Sequence, residues 1–311
     1  MDEAFVEPAS TVVESVVVEE EGDRVDRFAS RVFARLPTRG AARKAAKRGE
    51  LLLNGQEVES SRFVRVGDVV SLRDGEVRHP ACALTPELAY VDPRCAVVVK
   101  PAGLLVNGNR HRTLEHALPN ALPASSEPDA LVAPRPVHRL DFETMGLVAV
   151  ARCHRAMVAW SRDFEERRVR KRYRAIVVGR MEGEGRVEVP LDGREAVSTW
   201  RAVRAFHTLK TDWCTVVDLE PVTGRMHQLR RHLHGLGHPI LGDRRYCADG
   251  LYLKGSGLFL AAVHLDLPDP DGADTRIAVS IEPPAKLASF EAREVRRWAR
   301  WHGKNGPTEE D

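Results

Sequence analysis

Pro134-Arg135-Pro136-Val137-His138-Arg139-Leu140-Asp141-Phe142-Glu143-Thr144-Met145-Gly146-Leu147 is the stretch on which the reading of this chain turns. Two prolines stiffen its start, and the apolar run Leu147-Val148-Ala149-Val150 that follows has the composition of a strand. Asp141 thus lies where a loop enters apolar structure, and a carboxylate there is costly unless something pairs with it. For a lone aspartate the plain reading is a turn or a structural ion pair.

A partner is legible further on. Met226, Leu229, Leu233 and Leu236 recur at helical spacing, with Thr223 able to cap the helix and Gly237 able to end it. Arg230 falls on that same stripe, whereas Arg231 is turned away by roughly 100°. An inward guanidinium needs an anion, and its fork suits a carboxylate. The spacing predicts that Arg230 pairs with Asp141 and keeps it ionised, as a nucleophile requires.

Outward from this pair, further short β-rich stretches appear at 96–99, 173–178, 213–219 and 258–263, with helical pieces at about 154–165 and 225–236. Residues 119–134, rich in Pro, Ala and Ser, read as a long surface loop. Strands irregularly separated by helices predict an α+β domain on a mixed, largely antiparallel sheet over residues 88–300. Residues 76–87 read as a linker and 301–311 as a polar C-terminal tail.

The first quarter of the chain differs in charge. Residues 1–23 carry eight acidic and no basic side chains, and 24–73 carry twelve Lys/Arg against five Asp/Glu. That contrast predicts an acidic, disordered tail (1–20) before a small polyanion-binding module (21–75). Thr38 can cap a helix bearing Arg39, Arg43, Lys44, Lys47 and Arg48, followed by Gly49, the turn pair Asn54-Gly55 and the strand Val69-Val70-Ser71-Leu72. Gly49-Glu50-Leu51-Leu52-Leu53-Asn54-Gly55 and Val66-Gly67-Asp68-Val69-Val70 resemble the S4-like RNA-binding domain first described in a ribosomal protein. The resemblance implies that the basic helix lies along RNA phosphates.

The larger region resembles the RluA-type pseudouridine synthases. The likeness rests on His138-Arg139-Leu140-Asp141-x-x-Thr144-x-Gly146, Thr223-Gly224-Arg225-x-His227-Gln228-Leu229-Arg230, Gly237-His238-Pro239-Ile240-x-Gly242-Asp243-x-x-Tyr246, Val99-Lys100-Pro101-x-Gly103 and Lys171-x-Tyr173-x-Ala175, in family order. It implies isomerisation of uridine in structured RNA, rRNA above tRNA, by a monomer that needs no cofactor. It further implies that Asp141 attacks the target nucleotide, that Tyr173 packs against the base, and that Arg230 partners the nucleophile. Leu229 would contact the pocket and Arg139 would help displace the nucleotide. His138, Thr144, Arg225 and His227 complete the motifs as substrate-binding candidates, and Lys171 and Arg172 join the RNA-binding set. Met145 and Met226 depart from the family pattern, a matter of substrate choice rather than of the nucleophile.

Other classes fare worse. No apolar run reaches the ~18 residues of a membrane span, and the acidic start Met1-Asp2-Glu3 is unlike a secretory signal. Five scattered cysteines without a Cys-x-x-Cys pair fit a reducing cytoplasm. His227, His232, His234 and His238 lack metal-ligand spacing, so no metal is expected. Lys100-Pro101-Ala102-Gly103 lacks the pattern of a phosphate loop and reads as a strand-ending turn. The rival from another class is an RNA-binding or ribosome-assembly protein with a vestigial centre.

Overall fold

The computed structural model describes residues 12–20, 22–73, 83–108, 112–247 and 257–305. The chain divides into two compact units, Met1–Arg78 and His79–Asp311.

In the first unit, β1 (Val12–Val17), α1 (Val25–Val32), α2 (Arg39–Lys47), β2 (Leu51–Leu53), β3 (Gln56–Glu57) and β4 (Val69–Arg73) follow one another, and the strands form an antiparallel sheet in the order β1-β4-β2-β3. Thr38 caps α2 as its position predicts, its hydroxyl accepting from the Ala41 N–H at 3.1 Å. Asn54 and Gly55 both take positive φ in the β2–β3 turn. Residues 12–17 are not part of the disordered tail predicted for 1–20. Their β-branched valines pair with β4, Val16 opposite Val70, and give the sheet an edge that the local acidity concealed. Val18, also inside that predicted tail, is buried in the core of this unit, and residues 1–11 lie outside the described residues.

The second unit contains β5 (Glu87–Val91), β6 (Cys95–Lys100), α3 (Leu114–Ala121), β7 (Ala130–Pro136), β8 (Met145–Cys153), α4 (His154–Glu165), β9 (Arg170–Val178), β10 (Glu184–Val187), β11 (Ser198–Thr208), β12 (Asp212–Pro221), α5 (Gln228–Gly235), β13 (Leu260–Asp269), β14 (Gly272–Ser280) and α6 (Ala285–Asn305). One sheet runs β10-β11-β12-β9-β13-β8-β6-β5, with β14 added to β13 and β7 to β8. Its pairings are antiparallel except β13 with β8, which gives the mixed, largely antiparallel α+β architecture that the sequence predicts.

Two expectations change here. The supposed loop 119–134 holds the end of α3 and most of β7, because Leu114 and Leu118 bury against the sheet and tie the segment down. The supposed tail 301–311 begins inside α6, whose Leu287 and Phe290 pack on Phe206 and Phe259; residues 306–311 lie outside the described residues, as do 74–82 of the linker region.

The sheet is covered on both faces, and this positions the site. Alternation on β9 sends Tyr173, Ala175 and Val177 to one face, where Leu229 and Leu233 of α5 pack. Ile176 goes to the other face, under α6. Next to the Asp141 loop, β8 starts where Gly146 lies against β13 at φ +114°. A Cβ there would sit 2.1 Å from the Ala262 carbonyl oxygen, so only glycine permits this approach.

Candidate active site

Asp141 lies in the loop between β7 and β8, in a tight turn where the Thr144 N–H donates to the Asp141 carbonyl at 3.1 Å. Its side chain is 26% exposed and so open to an incoming ligand. Arg230, only 4% exposed, reaches it from α5, with Nη1 at 3.6 Å from Asp141 Oδ2. The two groups meet as predicted, but the pairing differs from the expected one. The tight partner of Arg230 is Asp243, with Nε to Oδ2 at 2.6 Å and Nη2 to Oδ1 at 2.8 Å. Asp243 is itself fully buried and accepts the backbone N–H groups of Arg245 and Tyr246 at 2.9 and 3.1 Å.

This hierarchy has a physical reason. A buried guanidinium demands a bidentate, desolvated acceptor. Asp243 supplies it, leaving Nη1 to face Asp141. Glu143 adds a second half-buried carboxylate at 3.7 Å from Nη2. Burial works against the charge on Arg230, but Asp243, Asp141 and Glu143 together outweigh it and hold the guanidinium firmly protonated. The Tyr246 ring lies under the same guanidinium, 5.2 Å from Cζ to centroid.

The helix itself starts later than the sequence indicates. Thr223 is not its cap, since His227 occupies that place with a left-handed backbone at φ 53°. Thr223 instead donates to buried Gln228 Oε1 at 2.6 Å, and the Gln228 amide bonds Val197 O and Ser198 Oγ, each at 2.9 Å. Met226 therefore lies outside the helix and Leu236 at its end, both exposed, while Leu229 and Leu233 are buried as expected. The late start brings His227 into the site: Nε2 is 4.0 Å from Asp141 Oδ1 and Nδ1 is 3.1 Å from the Tyr246 hydroxyl. Burial lowers the His227 pKa and the Asp141 charge opposes that.

Tyr173 lies on β9 opposite Leu219 and Ala262 and packs with the cluster that holds Leu229. Burial first, and then the negative charge of Asp141, raises its hydroxyl well above the ordinary phenol, so it rests protonated.

The sequence pattern marked Lys100 only as part of a turn, and the structure gives it more to do. Its fully buried ammonium donates to Pro101 O at 2.9 Å, Leu104 O at 2.8 Å and Phe142 O at 3.3 Å, tying the β6 turn to the residue after Asp141. Burial lowers it to about 8, with Asp141 pulling the other way.

The remaining candidates separate. His138 Nε2 accepts the Ala149 N–H at 2.9 Å and its ring stacks on Phe164 at 4.4 Å. Burial, then the Lys171 charge, lowers it to about 3, which favours a neutral ring bracing loop, β8 and α4. Arg225 donates to Glu195 O at 2.9 Å and so braces the turn before α5. Thr144 is buried, and its hydroxyl has no hydrogen-bond partner among the described residues. Arg139 is exposed on the Asp141 loop. Lys171 is half-buried with a lowered pKa. Arg172 lines a groove of about 590 Å³ with Arg186 and Arg201, on the face opposite Tyr173.

In the N-terminal unit, taken by itself, Arg39, Arg43, Lys44, Lys47 and Arg48 are all exposed on α2 or at its cap. Arg43 Nε and Arg39 Nη2 reach the buried carboxylate of Asp26 at 2.7 and 3.3 Å, Arg24 adds a third contact at 3.8 Å, and Arg48 pairs with Glu50. Among the described residues no cluster of three or more His, Cys, Asp or Glu could hold a metal, and no helix is long and apolar enough to cross a membrane.

Known proteins resemble this chain. Residues 94–235 fit a family model described as RNA pseudouridylate synthase. An uncharacterized RNA pseudouridine synthase of Aquifex aeolicus is 30% identical over 303 residues, 88% of this chain and 94% of that protein. The dual-specificity RNA pseudouridine synthase RluA of Haemophilus influenzae is 36% identical over 202 residues, 61% of this chain and 90% of its own. Among solved structures, human RNA pseudouridylate synthase domain containing 1 shares the fold with a TM-score of 0.55 at 24% identity, covering 66% of this chain and 86% of that one.

Proposed function

Because the chain belongs to the RluA-type family of RNA pseudouridine synthases, isomerases of uridine in RNA, we propose that Asp141 is its nucleophile and that Arg230 and Tyr173 complete the reacting pocket. The observation that carries this reading is a half-open carboxylate whose charge is met, at 3.6 Å, by a guanidinium already anchored elsewhere. Asp243 fixes Arg230, and Arg230 sets its cation against the Asp141 carboxylate without closing over it. The target nucleotide leaves its stack to reach the pocket, with Arg139 at the rim. Asp141 attacks and becomes bonded to the nucleotide, the bond from ribose C1′ to N1 breaks, and the uracil turns and rejoins C1′ through C5 as the bond to Asp141 breaks and the carboxylate is released. The C5 proton is lost, N1 gains one, and no atom is added overall. Tyr173 packs against the base. When Asp141 spends its charge in a covalent bond, one of the two causes that keep the Tyr173 hydroxyl protonated disappears, which fits it for proton transfer late in the reaction.

The N-terminal unit serves on this reading as an S4-like RNA-binding domain, α2 lying along phosphates, which favours rRNA over tRNA as substrate. The enzyme works as a monomer in the cytoplasm, a setting in which the buried thiols Cys95, Cys153 and Cys214 remain reduced. The relatives named RNA pseudouridine synthases support the enzyme over the vestigial alternative. Incubating the full chain and Asp141→Ala with bulk rRNA and tRNA and mapping pseudouridine tests the assignment. Wild-type protein modifies a defined site and the variant does not; equal modification by both would refute it.

A further inference from the structure

Two exposed apolar side chains stand next in the chain to residues of the Asp141 site, and the isomerisation uses neither. Phe142, next to the nucleophile, is 46% exposed, and Met226, next to His227, is 63% exposed. Single exposed apolar residues are ordinary on a protein surface. These two differ in how they are mounted. Phe142 sits at the tip of the turn closed by the Thr144 N–H on the Asp141 carbonyl. Its own carbonyl accepts from the Gly103 N–H at 2.8 Å and from buried Lys100 Nζ at 3.3 Å. The backbone is pinned while the ring stays half in water. On the other side, His227 stands 4.0 Å from Asp141, so its chain neighbour Met226 leaves from the same rim, consecutive Cα atoms being only ~3.8 Å apart. Of the other side chains here, Arg139, Glu143, Arg230 and Arg244 are charged and can meet phosphates or one another, whereas Leu229 is buried and the Tyr173 and Tyr246 rings are half-buried.

A nucleotide that flips out of its stack leaves a neighbour with an uncovered base face, and an aromatic ring on a fixed mount is the group that covers it. We propose that Phe142 stacks on the unpaired base beside the target uridine, with Met226 lining the opposite rim, so that the enzyme selects uridines whose neighbour is free to stack. This rests on Asp141 being the nucleophile, since that places Phe142 beside the reacting nucleotide.

The test uses the full chain and a stem-loop transcript copied around the uridine that the wild-type enzyme modifies, plus two versions carrying an abasic site on one side or the other of that uridine. On the complete loop, Phe142→Ala lowers kcat/KM by about 5- to 100-fold, the range of one lost base–aromatic stack, and Phe142→Trp restores most of it. On one of the abasic loops the wild type falls by a similar factor and Phe142→Ala falls no further, the signature of a shared contact. Thermal melting of Phe142→Ala matches the wild type, because the ring is half-exposed. The proposal is overturned if Phe142→Ala equals the wild type on the complete loop, or if it loses the same factor on all three RNAs. Asp141→Ala, run alongside, judges the nucleophile separately. An active Asp141→Ala sinks that assignment, whereas an inactive one with a normal Phe142→Ala sinks only the stacking.

Discussion

The N-terminal unit and the catalytic pocket use the same pair of residue types in opposite ways. Around Asp26, one buried carboxylate is ringed by three partly exposed arginines, and the surplus that faces solvent is positive. Around Arg230, one buried guanidinium is clamped by buried Asp243 and shared with Asp141 and Glu143, and the partners that face solvent are carboxylates. The first arrangement displays cations and suits an RNA backbone. The second displays a carboxylate beside a fixed cation, which suits attack on a nucleotide. The difference lies in which partner is buried. The buried member is structural, and the exposed members are left for ligand.

Breaking the buried member should expose the contrast most strongly in the pocket. Arg230→Leu leaves Asp243 buried without its cation and is expected to destabilise the second unit by about 3–5 kcal/mol, with loss of activity. Chemical denaturation measures it. A normally stable variant would show that Asp243 is satisfied by its backbone donors alone.

A second prediction concerns acid. The unfolded chain protonates His138 at its ordinary value of about 6.5, whereas the folded chain resists until about 3. Between those values the unfolded state binds more protons, so this contribution to stability is present above about pH 6.5 and falls away on acidification. The loss is expected to reach about 2 kcal/mol by pH 5. His138→Gln should lose less between pH 7 and pH 5 in denaturation experiments, and an identical loss would contradict the neutral-brace role.

Asp26→Ala is the N-terminal counterpart of Arg230→Leu and should cost less, about 1–2 kcal/mol, because the freed arginines are half-exposed and can turn to water. If it matched Arg230→Leu in cost, the asymmetry drawn above would be lost. Smallest is the effect of Lys44→Ala with Lys47→Ala. RNA affinity weakens modestly, and the slope of log K against log salt becomes shallower by about 1.5 if both lysines meet phosphates. An unchanged slope would remove α2 from the RNA contact.

What the sequence made legible follows the same division. Periodicity and turn chemistry located the strands around residues 96–99 and 147–150, the Thr38-capped basic helix and the inward stripe of Leu229, Arg230 and Leu233, because these depend on neighbours in the chain. The edge strand at 12–17 was hidden because the local acidity outweighed its valines, and its partner lies more than fifty residues away. The true clamp of Arg230 was hidden for a related reason. Asp243 appears in the motif Gly242-Asp243, but no spacing rule says that a loop aspartate thirteen residues on will win the guanidinium from Asp141. The late start of α5 came from Gln228, whose side chain bonds the preceding turn, and from the left-handed His227, which no propensity scale anticipates. Local physics was readable, and the choice between competing long-range partners was not.

The most direct measurement is a single-turnover rate for Asp141→Asn on a stem-loop RNA, with RNA binding measured on the same sample. The substitution keeps the shape and removes only the charge that Arg230 faces. The expected result is a rate at least about 1,000-fold below wild type, of the order of losing an activated group, with affinity within twofold. A rate close to wild type would contradict the role given to this carboxylate.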